Sequence, residues 1–214
     1  MDWTRAIDAY CERTDASYWS EPINAVTNLA FILVAVIMWR KSAGLSGGRW
    51  LSAVLFAIGV GSYLFHTHAV AWAAILDVIP IALFTLSFLY LANRDFWGWP
   101  RWGAIVGVLA FFPYAALATP VFARMPFFAI SSAYWVLPVL IATYGSLLRR
   151  RAPETGRGLM IGAGILCVSL VFRSLDETLC ANFPSGTHFM WHILNGIMLG
   201  WMIEVWRRHK TNAA

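Results

Sequence analysis

Charge is scarce in this chain. Only 13% of its 214 residues are Asp, Glu, Lys or Arg, against about 25% in ordinary soluble domains. That shortage excludes a water-solvated globular surface. Residues 1–20 lack the apolar centre of a cleavable signal peptide and carry Asp2, Asp8, Glu12 and Asp15 instead. The first apolar segment is therefore expected to direct its own insertion. Repeats, low-complexity stretches and a second domain are missing as well. What is abundant is apolar: 59% hydrophobic residues, a mean hydropathy of +0.62 and twelve tryptophans. Such an aromatic excess suits the interfacial belts of a membrane, so the composition reads as an integral membrane protein.

A pI near 9.4 invites a nucleic-acid reading, but the positions of the charges oppose it. Twelve of the sixteen Lys and Arg residues fall in four short segments: Arg40/Lys41/Arg49, Arg94/Arg101, Arg149/Arg150/Arg151/Arg157 and Arg207/Arg208/Lys210. Between them lie segments poor in Lys and Arg, the positive-inside pattern and not a binding patch.

Apolar runs of about twenty residues bounded by polar turns predict seven spans: 22–39, 51–67, 71–92, 102–118, 128–148, 158–174 and 186–206. The expected fold is an all-α, single-domain bundle of seven transmembrane helices with antiparallel neighbours. The basic segments then share the cytoplasmic side with the C-terminus, and the N-terminus is outside. The outer side keeps Arg5, Arg13, Arg124 and Arg173 with most of the acids: Asp2, Asp8, Glu12, Asp15, Glu21, Asp176 and Glu177.

Within these spans stand Ser62, His66, Asp77, His188 and His192. Ionisable groups at membrane depth are expensive and mark function by default. Span two runs outward to a turn near residues 69–70 and span three runs back. Ser62 and Asp77 are therefore about 11 Å below that turn, and His66 about 5 Å, at 1.5 Å per residue. His188 and His192 are one turn apart on one face near the start of span seven. Three histidines from facing helices leave a fourth position open, as a catalytic zinc requires. Ser62, one turn below His66, suits a developing oxyanion, and Asp77 suits proton transfer. On spacing alone, histidines that hydrogen-bond across helices, or a packing acid at Asp77, remain open readings. His68 belongs to the turn and is expected to face water.

At these residues the chain resembles the alkaline ceramidases, within a superfamily that also holds the adiponectin-type receptors. The resemblance rests on Ser62-x3-His66, Asp77 and His188-x3-His192, and on Tyr10-Cys11-Glu12 followed by Glu21-Pro22-Ile23-Asn24-Ala25-Val26-Thr27-Asn28-Leu29. It spans essentially the whole chain from Tyr10. It implies zinc on His66, His188 and His192, proton handling by Asp77 and oxyanion stabilisation by Ser62. It also implies calcium on the N-terminal acidic segment. Glu12 and Glu21 are the first candidate ligands, with a carbonyl near Tyr10, then Asp8, Thr14 and Asp15, although this chain is shorter than the family between Cys11 and Glu21. A disulfide between Cys11 and Cys180 is implied too. Cys167, inside span six, reads as a buried small hydrophobe.

Resemblance thus predicts a zinc-dependent hydrolase cutting the amide of a ceramide-like N-acyl lipid, with the substrate arriving from the bilayer and the site in its outer part. Arg173 and Trp191 lie near that mouth as head-group contacts or interfacial anchors. Two other classes stay open: a lipid receptor holding zinc without turnover, and a proton-coupled transporter. Pro80, expected to interrupt span three, keeps the transporter reading alive, while the missing repeat weakens it.

Overall fold

In the computed structural model, which describes residues 2–212, the regular elements are helices: α1 (Pro22–Thr27), α2 (Leu29–Lys41), α3 (Ser46–His68), α4 (Ala71–Asp95), α5 (Arg101–Ala123), α6 (Pro126–Ala129), α7 (Ser132–Leu148), α8 (Pro153–Leu179) and α9 (His188–Asn212). Proline opens α1, α6 and α8, where its missing N–H has no helical partner to lose. Gly44 and Gly98 turn the chain after α2 and α4 with φ of +80° and +71°, a region that favours glycine.

The first predicted span is α1 and α2 together, broken only at Asn28. Most helices outrun their apolar runs, because the backbone goes on hydrogen-bonding into the polar flanks. The fifth span is the exception. It begins as the short α6, and the long helix α7 starts only at Ser132. By length and composition, five helical segments can cross a membrane: Pro22–Lys41, α3, α4, α5 and α8. The apolar α7 is shorter, at 17 residues. The helix α9 is not among the five. It carries His188, His192 and Asn195, then a charged end from Glu204 to Lys210.

Seven long segments close into a ring. Around it α2 packs on α3, α3 on α4, α4 on α5, α5 on α7, α7 on α8 and α8 on α9, and α9 returns to α2. Inside, Phe31, Leu51, Leu55 and Ile58 form one apolar cluster and Leu159, Leu166, Leu170 and Met202 another. Outside, Trp102, Leu109, Phe112 and Leu117 of α5 are exposed. An outer surface of that kind suits lipid and not water.

Pro80 does not interrupt α4, which runs unbroken from Ala71 to Asp95. Lacking an N–H, Pro80 leaves the Leu76 carbonyl without its usual helical donor. Against that carbonyl lies the α3 backbone at Gly61, where a Cβ would overlap the Leu76 oxygen. Close packing of a neighbouring helix supports the irregularity, as it does in membrane bundles generally.

The N-terminal arm crosses the α3–α4 turn. Ile7 N–H donates to the Ala69 carbonyl at 2.8 Å, and Ala71 N–H to the Arg5 carbonyl at 3.1 Å. Cys11 is disulfide-bonded to Cys180 at the end of α8, with Cα atoms 5.2 Å apart. Cys167 is a free, half-buried thiol against the apolar interior. A disulfide closing a long loop typically contributes about 2–4 kcal/mol. Cys11→Ser is expected to lower the thermal midpoint of oxidised protein in detergent and leave that of reduced protein unchanged. An equal loss under both conditions would assign the effect to packing instead.

Candidate active site

His66 lies in the last turn of α3, and His188 and His192 occupy the first turns of α9. Their ring centroids lie 4.7–5.2 Å apart, and each residue is only 1–2% exposed. One nitrogen of each ring is buried without a hydrogen-bond partner: Nε2 of His66, Nδ1 of His188 and Nε2 of His192. Buried polar atoms are nearly always paired, so three orphans on three neighbouring rings need a common explanation. Ligand atoms within 4.8 Å of one another supply it, because the triad could hold a metal ion.

The surroundings select the tautomers. Glu21 Oε2 lies 2.6 Å from His66 Nδ1. A carboxylate only accepts, so Nδ1 carries a proton, and in the neutral ring Nε2 is the nitrogen with the lone pair. The Thr27 hydroxyl donates to the Ile23 carbonyl at 2.8 Å and lies 3.0 Å from His192 Nδ1. With its hydrogen used, that oxygen accepts from Nδ1–H, and Nε2 of His192 is bare as well. Partners of this kind orient the histidines of metal sites and set their basicity. The ring of Tyr10 stacks on His188, centroids 3.7 Å apart. Asp176, buried before α9, accepts from the N–H groups of Thr187 at 2.6 Å and His188 at 2.8 Å. It satisfies the first donors of that helix and accepts from Cys11 N–H at 3.1 Å as well.

Ser62 and Asp77 share one end of a cavity of ≈ 90 Å³. The Gly61–Leu76 contact brings their helices together at this level. Beyond them the walls are apolar, among them Phe84, Phe88, Leu159 and Met202, with Thr85 and Asn195 as isolated polar groups. Trp191 is buried and lines the cavity, so it is not an interfacial anchor. The Arg173 guanidinium sits over the rings of Tyr134 and Trp191, at 5.1 and 5.5 Å, and donates to Ser131 Oγ at 2.8 Å. His68 is exposed, as expected, but it is the last residue of α3 and not part of the turn.

The six residues implied for calcium do not gather into an oxygen cage. Both Glu12 oxygens accept backbone N–H groups, from Ile23 at 2.6 Å and Asn24 at 2.8 Å. Burial pushes the Glu12 carboxyl above its ordinary range, against the pull of those two bonds. Glu21 accepts from Arg13 Nε at 2.5 Å as well as from His66. Burial works against its charge too, but His66 and Arg13 outweigh it and hold this carboxyl below the usual range. Asp8, Thr14 and Asp15 are exposed, and Asp15 accepts the Ser17 N–H. Tyr10 presents its ring to His188. Calcium asks for six to eight oxygens, and the carboxylate oxygens of Glu12 and Glu21 already accept the protein's own donors.

Arg13, Thr27, Asp176 and Tyr134 are the residues that the sequence pattern does not single out. One signal was available for Thr27. A buried histidine ligand needs a partner on its second nitrogen, and Glu21 and Thr27 both belong to the segment that runs from Glu21 to Leu29.

A ring of long apolar helices around an internal histidine triad defines a multi-pass membrane protein with a buried site able to hold a metal. Its family follows from the sequence as a whole: a ceramidase family model matches residues 5–212, and the chain belongs to that family. No curated protein matches it.

Adding a methyl group at Gly61 must push α3 from α4. Gly61→Ala is expected to destabilise the protein by about 1–3 kcal/mol, as overpacking does, read as a lower thermal midpoint in detergent. An unchanged midpoint would mean that the two backbones do not pack this closely.

Proposed function

We propose that this protein is a zinc-dependent amide hydrolase of membrane lipids, acting on a ceramide-like N-acyl substrate to release a fatty acid and a long-chain amine. One observation carries the reading: three neighbouring imidazoles each keep an unpartnered nitrogen, and one turn along α3 from His66 the Ser62 side chain joins Asp77 in lining an apolar cavity. Membership of the ceramidase family supports the amide bond as the target. We read the ring as seven transmembrane helices with the N-terminus outside and the site in the outer part of the bilayer. The alternation of Lys- and Arg-rich segments supports that orientation.

Three neutral imidazoles are a donor set that suits zinc. Zinc held by His66, His188 and His192 supplies Lewis acidity, bringing the pKa of a water in the site to about 7. The chain's own residues do the rest. The apolar walls take an acyl chain and bring its amide to the polar end. Asp77 accepts the proton of the attacking water. The Ser62 hydroxyl donates to the carbonyl oxygen as negative charge develops there. Asp77 then delivers its proton to the departing nitrogen, so that water is consumed and acid and amine are formed. Glu21 and Thr27 keep the Nδ1 protons in place throughout.

Metal content and turnover on a single preparation test this. Protein purified in detergent, away from chelators, is expected to hold about one zinc per chain and to release fatty acid from N-acyl lipids. Zinc without release from any lipid of a broad panel would favour a lipid receptor, and absence of zinc would defeat the proposal. Asp77→Asn is expected to keep zinc and lose at least about 100-fold in turnover, the lower range of a general acid–base contribution. Full activity in that variant would remove Asp77 from the proton path. His192→Ala should lose the zinc itself, seen as metal per chain.

A further inference from the structure

Arg13 is a cation sealed into the outer end of the bundle. Its side chain is 6% exposed, and that of Glu21, its partner, 2%. A buried carboxylate needs a counter-charge, and the guanidinium provides one from the same chain. Nε donates to Glu21 Oε1 at 2.5 Å, Nη1 to the Asp15 carbonyl at 3.0 Å and Nη2 to the His66 carbonyl at 3.0 Å. The last contact has its own rationale. His66 is in the final turn of α3, where carbonyls lack helical donors and the helix dipole favours a cation.

Arg13 therefore grips His66 at two points. It binds the main chain of that residue directly, and through Glu21 it reaches ring atom Nδ1, 2.6 Å from Oε2. Only a planar fork with several fixed donors reaches carboxylate and carbonyls together; a lysine has one point of charge. Resemblance led to the expectation of a calcium ion among these same acids. A divalent ion there would meet a guanidinium in direct contact with the best of its ligands.

We propose that Arg13 is a built-in cation that takes the place of calcium in this chain. It is a positioning residue: it holds Glu21 against His66 and so directs His66 Nε2 toward the other two histidines. Metal loading and turnover then need no soluble divalent ion besides the one in the triad. This rests on the zinc reading of the triad for its second consequence only. Absence of a calcium site follows from the Arg13–Glu21 contact alone.

The test has two arms. In the first, purified wild-type protein in calcium-stripped buffer is titrated with radiolabelled calcium in equilibrium dialysis, without substrate. No stoichiometric binding up to 1 mM calcium, on the order of the weakest extracellular calcium sites, is expected; about one ion per chain would overturn the proposal. This arm does not depend on hydrolysis, so its failure is distinct from failure of the hydrolase reading. In the second arm, zinc affinity is measured by competition with a chromogenic chelator for wild type, Arg13→Lys and Arg13→Gln. Loss of a partner outside the ligand shell typically weakens a metal site about 10–100-fold. That loss is expected for Arg13→Gln, and a smaller one for Arg13→Lys, which keeps the charge and loses the fork. Metal-free thermal midpoints are read alongside. If Arg13→Gln does not fold, Arg13→Lys carries the comparison, with several-fold weaker zinc at an unchanged metal-free midpoint expected. Wild-type zinc affinity in a folded Arg13 variant would overturn the positioning role.

Discussion

Three imidazoles must each keep a bare nitrogen within an apolar bundle, and much of the end of the molecule that carries the N-terminal arm serves that requirement. An unpaired polar atom away from water costs about 1–3 kcal/mol, so three together are tenable only if something else completes them. Until then the rings have to be held by their other contacts. Glu21 and Thr27 do this for His66 and His192, and a stacked Tyr10 does it for His188. Asp176 reaches further, because its one carboxylate caps α9 and holds the arm at Cys11. The disulfide joins the same two regions covalently.

The bundle separates two kinds of apolar surface. Large side chains on α5 point away from the ring, and others such as Phe84 and Phe88 point into an internal space. The outward set satisfies the solvent, and the inward set lines a space between the helices. Ser62 and Asp77 are the two polar groups at which that space meets the histidine layer. An extended chain in the cavity would have its polar end held at one level. The level itself is set by a glycine and a proline: Gly61 admits the α4 backbone, and Pro80 frees the carbonyl that faces it.

The helical bundle was legible because lipid solvation forces long apolar runs, and those runs are visible as sequence. Histidine, serine and aspartate stood out for the same reason, each being an expensive residue in such a run. Span five was misjudged because hydropathy does not register backbone turns: Met125–Pro126 and Ser131 break the chain inside an apolar stretch. Pro80 was read as a break because the remedy for a missing N–H lies on another helix. The cavity was not legible at all. Spans four to six are apolar all round, so periodicity carries no mark of which face turns inward. In the N-terminal arm the acids were visible but their partners were not. Nothing local pairs Arg13 with Glu21 across eight residues of loop, and a family pattern of acids reads as calcium until that cation is in view.

The first and last long helices of the chain, α2 and α9, are the pair that closes the ring. Two of the three histidines lie on α9 and the third on α3, more than a hundred residues earlier. A growing chain thus inserts most of its helices before any metal site exists. The arm that shelters the site is made first, yet its anchor, Cys180, emerges among the last. Completion of the triad is then a terminal event of biogenesis: its last two members arrive only with the helix that completes the circle.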